Sequence, residues 1–412
     1  MKKILLSLFL AGSFAAQAQL KQPAQTPDRI ILNMMTDPAT SVAVTWRTAP
    51  SDAPAQAQIT LATAAPTLKD SAKTVMAKST IVDFDSLVSQ FHSVNFTGLQ
   101  PETLYAYRVG DGEVWSEWLQ YKTAAAEAKP FSFIYFGDAQ NDLKSMWSRA
   151  IRQAYSDLPK ANFMLHAGDL INGYQINQEW DEWFYAGSFI HGMIPSIVTP
   201  GNHEYYGPNR RGQLNPYWQA TFSLPANGPA GFEETVYYID YQGVRIISLD
   251  SYRIIGSEVD RQVQAEWLKK VLENNPNKWT IITFHHPVYS TARGRDNKEL
   301  RDSFKPIFDA YKVDLILQGH DHTYARGNNA PIGVQTQDQW TGTMYVVSVS
   351  GPKMYEHGED AWWDKGIMQT QLYQLISIDG DELKYNAYKV TGELFDHFTL
   401  RKQANRPNMI ID

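Results

Sequence analysis

The chain carries the stretch Gly319-His320-Asp321-His322 and, far upstream of it, the stretch Gly201-Asn202-His203-Glu204. The first places two imidazoles on alternate residues, and the second places an amide oxygen, an imidazole and a carboxylate in a row. Nitrogen and oxygen donors of this kind suit zinc, iron or manganese, and they do not suit a soft metal that prefers sulfur. The two stretches indicate a metal site, and the segments before them indicate the fold that carries it.

The segment before each motif has the composition of a buried strand. Residues 131–136 are almost wholly apolar, as expected for a strand covered on both faces, and Gly137-Asp138 follows them. Ligands bind at the carboxyl ends of strands in α/β folds, and a glycine lets the backbone turn into the crevice. We expect five motifs to meet at one rim, as a two-metal centre requires. The other four begin with Asp169, Asn202, His285 and His320, after strands predicted at 161–166, 194–198, 279–284 and 313–317.

Each motif taken alone also has a structural interpretation. A Gly-Asp pair after a strand is usually a turn, and an Asn-His pair is often a helix cap or a loop contact. If His320 and His322 lie on a strand, they share one face, where they could equally serve packing. All five motifs in order after strand ends favour a metal centre over separate structural roles.

Composition narrows the class of protein. The chain has 412 residues and no cysteine, so thiolate chemistry and disulfides are excluded. Its 12 Trp, 22 Tyr and 18 Phe allow a sizeable core, and its length suits one large domain and a smaller one. The formal charge of −7, without a basic run, argues against sequence-independent nucleic-acid binding.

The first eighteen residues have the pattern of a secretory signal peptide. Lys2 and Lys3 form a basic start, an apolar run over residues 4–14 follows, and Ala16-Gln17-Ala18 is a small-x-small cleavage site. The apolar run is shorter than the roughly 20 residues that span a bilayer, which disfavours a retained anchor. We predict an exported protein, periplasmic or secreted, with no membrane span after removal of residues 1–18.

Two regions follow, and their patterns differ. Residues 19–127 are predicted to form an all-β domain, and residues 99–109 resemble the fibronectin type III segment with a tyrosine corner at Tyr105. In residues 128–412, apolar strands alternate with amphipathic helices, as in an α/β domain. The predicted helices cover residues 178–191, 259–273 and 298–311.

The ordered motifs resemble those of the calcineurin-like metallophosphoesterases, and in detail those of the purple acid phosphatase branch. The resemblance covers nearly the whole chain after residue 18. It implies an α/β (α+β) catalytic domain, a four-layer sandwich of two β-sheets flanked by helices, behind an all-β fibronectin-like sandwich. The motifs that carry it are Gly137-Asp138, Gly168-Asp169, Gly201-Asn202-His203-Glu204, His285-His286-Pro287-Val288-Tyr289 and Gly319-His320-Asp321-His322-Thr323-Tyr324-Ala325-Arg326.

The resemblance also implies a chemistry. Two metal ions, iron, zinc or manganese, share Asp169, and a metal-bound hydroxide attacks a phosphate monoester in line while His203 protonates the leaving oxygen. The substrate is a small-molecule phosphate ester. The implied ligands besides Asp169 are Asp138 and His322 for the first ion, and Asn202, His285 and His320 for the second.

One position departs from the branch pattern. Purple acid phosphatases carry a tyrosine three residues after the bridging aspartate, where this chain has Asn172. Many other metallophosphoesterases have a histidine ligand at the position that Gln140 occupies in this chain. Either Gln140 or Asn172 could therefore complete the first metal site. Gln140 could instead hydrogen-bond a bound water. The candidate substrate contacts are His286, Arg210 and Arg293. His286 could instead serve packing, and each arginine could instead be a solvated charge on a loop.

Two other functions stay open at the level of sequence. Because of Asn172, a phosphodiesterase of the same superfamily, acting on nucleotides or lipid head groups, is an alternative. The second alternative is a binding or adhesion protein with a vestigial metal site, which the complete ligand set and the presence of His203 disfavour.

Overall fold

The computed structural model describes residues 22–173, 176–206, 213–328, 342–359, 362–404 and 406–412. The predicted signal peptide and Arg210 lie outside these ranges. No helix within them is both long enough and apolar enough to cross a membrane.

The N-terminal domain is a sandwich of two antiparallel sheets. One has the strand order β1-β2-β6-β5 and the other has the order β4-β3-β7-β8. Alternate residues of both sheets fill the space between them, among them Trp46 and Tyr107, which are each 1% exposed. The strands are β1 (Asp28–Asn33), β2 (Val42–Thr48), β3 (Gln56–Leu61), β4 (Lys73–Met76), β5 (Lys78–Phe84), β6 (Leu87–Phe96), β7 (Leu104–Gly110) and β8 (Leu119–Lys122).

The tyrosine corner lies where the sequence predicts it. The Tyr105 hydroxyl accepts a hydrogen bond of 2.8 Å from the backbone N–H of Gln100, five residues upstream. The bond ties the chain before β7 to the strand itself, as in fibronectin-like sandwiches.

The first catalytic sheet continues the N-terminal sandwich. Its parallel strands β9, β10 and β11 are followed by β1, because Asn33 pairs in parallel with Ser196. A single sheet of eleven strands, β24-β23-β22-β21-β9-β10-β11-β1-β2-β6-β5, runs through both domains. The catalytic strands in it are β9 (Phe131–Phe136), β10 (Met164–His166), β11 (Ser196–Val198), β21 (Leu372–Asp379), β22 (Glu382–Lys389), β23 (Leu394–Gln403) and β24 (Arg406–Ile411).

The second catalytic sheet has seven strands in the order β14-β15-β16-β17-β19-β18-β20, with β15, β16, β17 and β19 parallel. A separate hairpin, β12 (Tyr205–Tyr206) with β13 (Gln213–Leu214), follows the Asn-His motif. The seven strands are β14 (Tyr237–Tyr241), β15 (Val244–Ser248), β16 (Trp279–Thr283), β17 (Leu315–Gln318), β18 (Tyr324–Asn328), β19 (Met344–Val347) and β20 (Lys365–Ile367).

Helices cover the outer faces of the two sheets. In the second sheet, Ile281 and Leu315 face the first sheet, while Ile282 packs with Leu268 and Phe304 of the outer helices. Both faces of these strands are buried, which explains their apolar runs. The helices are α1 (Ser148–Asp157), α2 (Asn177–Gly187), α3 (Phe189–Met193), α4 (Pro216–Thr221), α5 (Ser251–Gly256), α6 (Glu258–Glu273) and α7 (Lys298–Ala310). A π-helix, Leu143–Trp147, leads into α1, and short 3-10 helices cover Leu68–Ser71 and Asn202–Glu204.

This architecture confirms the predicted fold class: two stacked sheets flanked by helices, behind an all-β sandwich. The five strands predicted before the motifs are all present, and the helix predicted at 178–191 is divided into α2 and α3. Ser188, between these two helices, has a positive φ of 46°, which breaks the helical backbone.

Candidate metal centre

The five motifs lie at the carboxyl ends of strands that face each other across the two sheets. Asp138, Asp169 and Asn202 follow the neighbouring parallel strands β9, β10 and β11 of the first sheet. His285 and His320 follow the neighbouring strands β16 and β17 of the second sheet. The topology therefore brings residues that are far apart in sequence to one rim.

Six of the predicted ligands are Asp, His or Asn, and five of these form two overlapping groups. Asp169, His285 and His320 offer ligand atoms within 4.8 Å of one another, and so do Asp138, Asp169 and His322. Asp169 belongs to both groups. Its Oδ2 lies 3.0 Å from His285 Nε2, and Asp138 Oδ2 lies 3.3 Å from His322 Nε2. Two cation sites that share one carboxylate fit this arrangement.

The environment of Asn202, the sixth predicted ligand, is consistent with a bound metal ion. Its amide oxygen is buried and has no hydrogen-bond partner among the residues that the structure describes. A buried carbonyl without a partner is costly, and a metal ion would satisfy it. The donor set of carboxylates, imidazoles and an amide oxygen suits zinc, iron or manganese.

The ligand loops have unusual backbone conformations. Asp169, His320 and His322 have positive φ angles of 49°, 76° and 49°. His320 and His322 lie in the loop between β17 and β18 and not on a strand, so the interpretation of His-x-His as one strand face is wrong. Gly319 has no room for a side chain, because a Cβ there would lie 2.1 Å from Asp138 Oδ1. Backbone strain at such sites is held by the surrounding structure.

The buried charges of the centre shift one another's pKa values. Burial raises the pKa of Asp138 to about 7, opposed by His285 and assisted by Asp169. Burial disfavours the charged form of His285, but Asp169 and Asp138 outweigh it and raise its pKa to about 9. Burial also opposes ionisation of Asp169, yet His285 and His203 hold its pKa below the usual range. Carboxylates this crowded favour a bound cation, which stabilises their ionised forms.

His203 is held with one ring nitrogen turned towards the centre. Its Nδ1–H donates to the backbone carbonyl of Asn172, and its backbone N–H donates to Asp169 Oδ1 over 3.0 Å. A carbonyl only accepts, so the proton sits on Nδ1 and Nε2 is the atom free for chemistry. Nε2 lies 3.9 Å from Asp169 Oδ2.

The Glu204 side chain bonds backbone N–H groups of two loops. Its carboxylate is fully buried and accepts from the backbone N–H groups of Asp169, Leu170 and Gly201 at 3.0, 2.8 and 2.7 Å. It ties the loop after β10 to the loop after β11. Burial, with the charge of Asp169, raises the pKa of Glu204 to about 8.

Gln140 is fully buried beside the first group. Its Nε2 donates to Asp169 Oδ2 over 2.8 Å and lies 3.1 Å from His322 Nε2, while its Oε1 accepts from Lys353 Nζ over 3.4 Å. In this orientation the amide nitrogen, and not the oxygen, faces the centre. The role of Gln140 as a metal ligand stays a prediction.

The candidate substrate contacts differ in their positions. His286 borders the centre, with its ring centroid 4.1 Å from that of His320 and its Nδ1 3.0 Å from Ser251 Oγ. Arg293 is 66% exposed and pairs with Glu356 over 3.1 Å. Arg210 lies outside the described residues.

His166, the last residue of β10, belongs to the hydrophobic core. Neither ring nitrogen has a hydrogen-bond partner within the described ranges, and the ring stacks on Phe136 with centroids 5.4 Å apart. Burial lowers its pKa to about 3, so the ring is a neutral part of the core.

Sequence analysis missed two side chains near the centre. Lys353 follows β19, a strand that does not appear among those predicted before the five motifs, and Glu179 lies in the first turn of α2. The signal for Lys353 was available, because Ser350-Gly351-Pro352-Lys353 follows an apolar segment as the five recognised motifs do. Nothing local marks Glu179.

Two family models match the chain. Residues 132–324 match the calcineurin-like phosphoesterase family, and residues 27–123 match the purple acid phosphatase N-terminal domain. The first range contains all the predicted metal ligands, and the second corresponds to the N-terminal sandwich.

Proteins of similar sequence are named as purple acid or acid phosphatases. Purple acid phosphatase 15 of Arabidopsis thaliana is 26% identical over 321 residues, which are 68% of this chain and 59% of the relative. Acid phosphatase type 7 of Danio rerio is 29% identical over 282 residues, or 58% of each protein. The chain spans little more than half the length of the curated relatives that it matches.

Solved structures agree on the fold. A purple acid phosphatase from yellow lupin seeds superposes with a TM-score of 0.76 at 19% identity, over 91% of this chain and 74% of the lupin chain. A structure of PhoD superposes with a TM-score of 0.66 at 14% identity, over 94% and 92%.

Proposed function

The chain belongs to the calcineurin-like phosphoesterases, in the branch with the purple acid phosphatase N-terminal domain, and we propose that it hydrolyses small-molecule phosphate monoesters. The observation that carries the proposal is the position of Asp169, whose carboxylate is common to the two groups of potential ligands. A shared carboxylate supports a centre with two ions, which suits hydrolysis of a phosphate ester.

The proposed ligand roles follow the two groups. Asp138 and His322 would hold one ion, His285, His320 and Asn202 would hold the other, and Asp169 would contribute to both sites. Two ions held there would polarise phosphate oxygens and lower the pKa of a coordinated water. Glu204 fixes the relative position of Asp169 and Asn202 through three backbone N–H groups.

The proposed general acid is His203. With Nδ1–H bonded to the Asn172 carbonyl, an imidazolium at His203 presents Nε2–H on the side of Asp169. Nε2–H donates its proton to the leaving oxygen as the P–O bond breaks, and an alkoxide gains most from this. His286, beside His320, is positioned to contact a phosphate oxygen.

We also propose that the protein is exported. The basic start, the apolar run and the Ala16-Gln17-Ala18 site support removal of residues 1–18. Sequencing the N-terminus of protein recovered outside the cytoplasm tests this, and the expected first residue is Gln19. A mature chain that begins at Met1 or Lys2 contradicts it.

The activity is tested by removing bound metal, reloading with zinc, manganese or iron, and comparing p-nitrophenyl phosphate with its diester, bis-p-nitrophenyl phosphate. We expect hydrolysis only with metal, and a higher kcat/KM for the monoester. A higher kcat/KM for the diester would favour the phosphodiesterase alternative. Two bound ions without hydrolysis of either compound would favour a binding protein.

A further inference from the structure

A loop after β19 brings a lysine to the edge of the metal centre. Residues 348–353 run against the loop after β9, because the N–H groups of Ser350 and Gly351 donate to the Asp138 carbonyl at 2.9 and 2.6 Å. Gly351 is required for this approach, since a Cβ there would lie 2.4 Å from the Ala139 carbonyl oxygen. The position of the loop is therefore fixed by the same segment that supplies Asp138.

Lys353 has two different contacts with the centre. Its backbone carbonyl accepts from His322 Nδ1 over 3.0 Å, which orients that imidazole, and its Nζ donates to Gln140 Oε1 over 3.4 Å. Among the described residues, no carboxylate forms an ion pair with the Lys353 ammonium group. A half-buried cation whose one bond is long and neutral has donors left for an anionic ligand.

Arg295 provides a second cation on the same side. Its Nη1 donates to the His320 carbonyl over 2.9 Å and lies 3.3 Å from Asp321 Oδ1. Asp321 is buried and also accepts from the backbone of Thr291 and Ala292, so it anchors the guanidinium without occupying all its donors. Nε and Nη2 of Arg295 have no partner in the part of the chain that the structure describes.

Tyr355 joins the two cations. Its ring centroid lies 4.6 Å from that of His322, 4.8 Å from the Arg295 guanidinium carbon and 5.7 Å from Lys353 Nζ. Tyr355 and Arg295 also line a cavity of about 370 Å³, and each of them contacts the His320–His322 loop. The remaining lining includes Arg293 and Glu356, which neutralise each other.

We propose that Lys353, Tyr355 and Arg295 form a subsite for the leaving group, and that it selects leaving groups that carry a second phosphate. This rests on the proposed phosphatase function and names its substrate class. The scissile phosphate would lie at the metal centre, while Lys353 and Arg295 bind the second phosphate through charge-assisted hydrogen bonds. Tyr355 supplies a flat apolar wall between them. Because the chain as a whole carries a net charge of −7, a local pair of cations attracts an anionic group to this place in particular.

The test compares fructose 6-phosphate with fructose 1,6-bisphosphate as substrates of the metal-loaded full chain. We expect kcat/KM for the bisphosphate to be about tenfold higher, beyond the roughly twofold statistical advantage of two phosphates, since charged hydrogen bonds are strong. Arg295→Gln and Lys353→Gln should each lose most of this preference. Lys353→Arg, which keeps the charge, should retain it.

Two controls separate the subsite from other effects. Lys298→Gln removes an exposed cation that pairs with Asp302, so it should keep the preference if the effect is local rather than due to net charge. Equilibrium binding of both sugar phosphates to the His203→Ala protein, with metal content measured, gives the same comparison without rapid turnover.

The outcomes are distinguishable. A wild-type protein that hydrolyses the monophosphate with no preference for the bisphosphate overturns this inference and leaves the proposed function standing. A preference that survives both Arg295→Gln and Lys353→Gln also overturns it. A metal-loaded protein that hydrolyses p-nitrophenyl phosphate but neither sugar phosphate overturns the subsite alone, and one that hydrolyses none of the three compounds overturns the proposed function as well.

Discussion

At the scale of single residues, Asp169 is the group on which both halves of the centre depend. It contributes to the two groups of potential ligands and accepts the His203 backbone N–H. We expect Asp169→Asn to lower kcat to about a tenth of the wild-type value or less, because a two-ion mechanism requires that both ions are bound. Metal analysis should show loss of bound ions, and circular dichroism should show an intact fold.

The matched control for this change is Asp302→Asn, which alters an exposed carboxylate on α7 that pairs with Lys298. It should leave both the rate and the metal content unchanged. An Asp169→Asn protein with full metal content and more than about a tenth of the wild-type kcat would contradict the bridging role.

A prediction about His203 distinguishes a role in proton transfer from a role in phosphate binding. In His203→Ala we expect the rate for an alkyl phosphate to fall by about 10²–10⁴, the usual share of general acid catalysis. The loss should be smaller for p-nitrophenyl phosphate, whose leaving group needs no proton, and the metal content should persist. Equal losses for the two substrates would assign His203 to phosphate binding instead.

Asn172 makes a prediction about colour. The purple acid phosphatase resemblance attributes the colour to a tyrosinate ligand on ferric iron, and a neutral amide cannot replace it. The iron-loaded protein should therefore lack the strong visible band, and divalent zinc or manganese alone should support activity, since a neutral site favours a trivalent ion less. A purple sample would mean that another tyrosine, such as Tyr174, binds the iron.

At the scale of secondary-structure elements, helix α2 supports His203, the proposed general acid, through a neighbouring loop. Glu179, in its first turn, accepts from the backbone N–H groups of Asn172 and Gly173 at 2.6 and 2.7 Å. The Asn172 carbonyl in turn accepts from His203 Nδ1. The helix therefore fixes the peptide that sets which nitrogen of His203 carries its proton.

We expect Glu179→Gln to weaken this support, because both backbone N–H groups bond the same oxygen, Oε2, and a neutral amide oxygen accepts more weakly than a carboxylate oxygen. The rate for an alkyl phosphate should fall about tenfold, with a smaller loss for p-nitrophenyl phosphate and unchanged metal content. Glu182→Gln, one turn further along α2, should change neither rate, because the Glu182 carboxylate bonds Lys144 and Gln178 and not the Asn172 loop. Equal losses for both substrates would mean that Glu179 acts only on the fold.

Elements also show what could be predicted from the sequence and what could not. The meeting of the candidate ligands at one rim was predictable, because their motifs follow buried apolar strands and parallel strands align their carboxyl ends. The contacts of Glu204 could not be predicted, because its three partners are backbone N–H groups, which have no sequence signature. In α6 the apolar pattern predicts core positions at Val263, Trp267, Val271 and Leu272. Val271 and Leu272 are buried, but Val263 and Trp267 are only partly buried and the fully buried positions are Gln264 and Leu268. Gln264 is buried because it pairs with the backbone of Asp250.

At the scale of the whole molecule, the two domains share more than a linker. Strand β1 pairs with β11, so one sheet passes from the N-terminal sandwich into the catalytic domain. Beside this junction, buried Arg47 of β2 bonds Asp28 at 2.8 Å and Asp181 of α2 at 3.0 Å. Arg29 of β1 bonds the same Asp181 carboxylate at 2.8 Å. The sequence predicts two domains but not this junction, because pairing between distant strands is not encoded in local patterns.

We therefore expect the two domains to unfold together, in a single calorimetric transition. Asp181→Asn should lower the stability by about 3–5 kcal/mol, because it leaves two buried guanidinium groups close together with only Asp28 to compensate them. The exposed pair of Lys278 and Asp381 provides the control, and Asp381→Asn should cost less than about 1 kcal/mol. Differential scanning calorimetry of the three proteins decides the matter. Two separate transitions in the wild-type protein, or an Asp181→Asn effect no larger than the control, would mean that the continuous sheet and its buried ion pairs do not couple the domains.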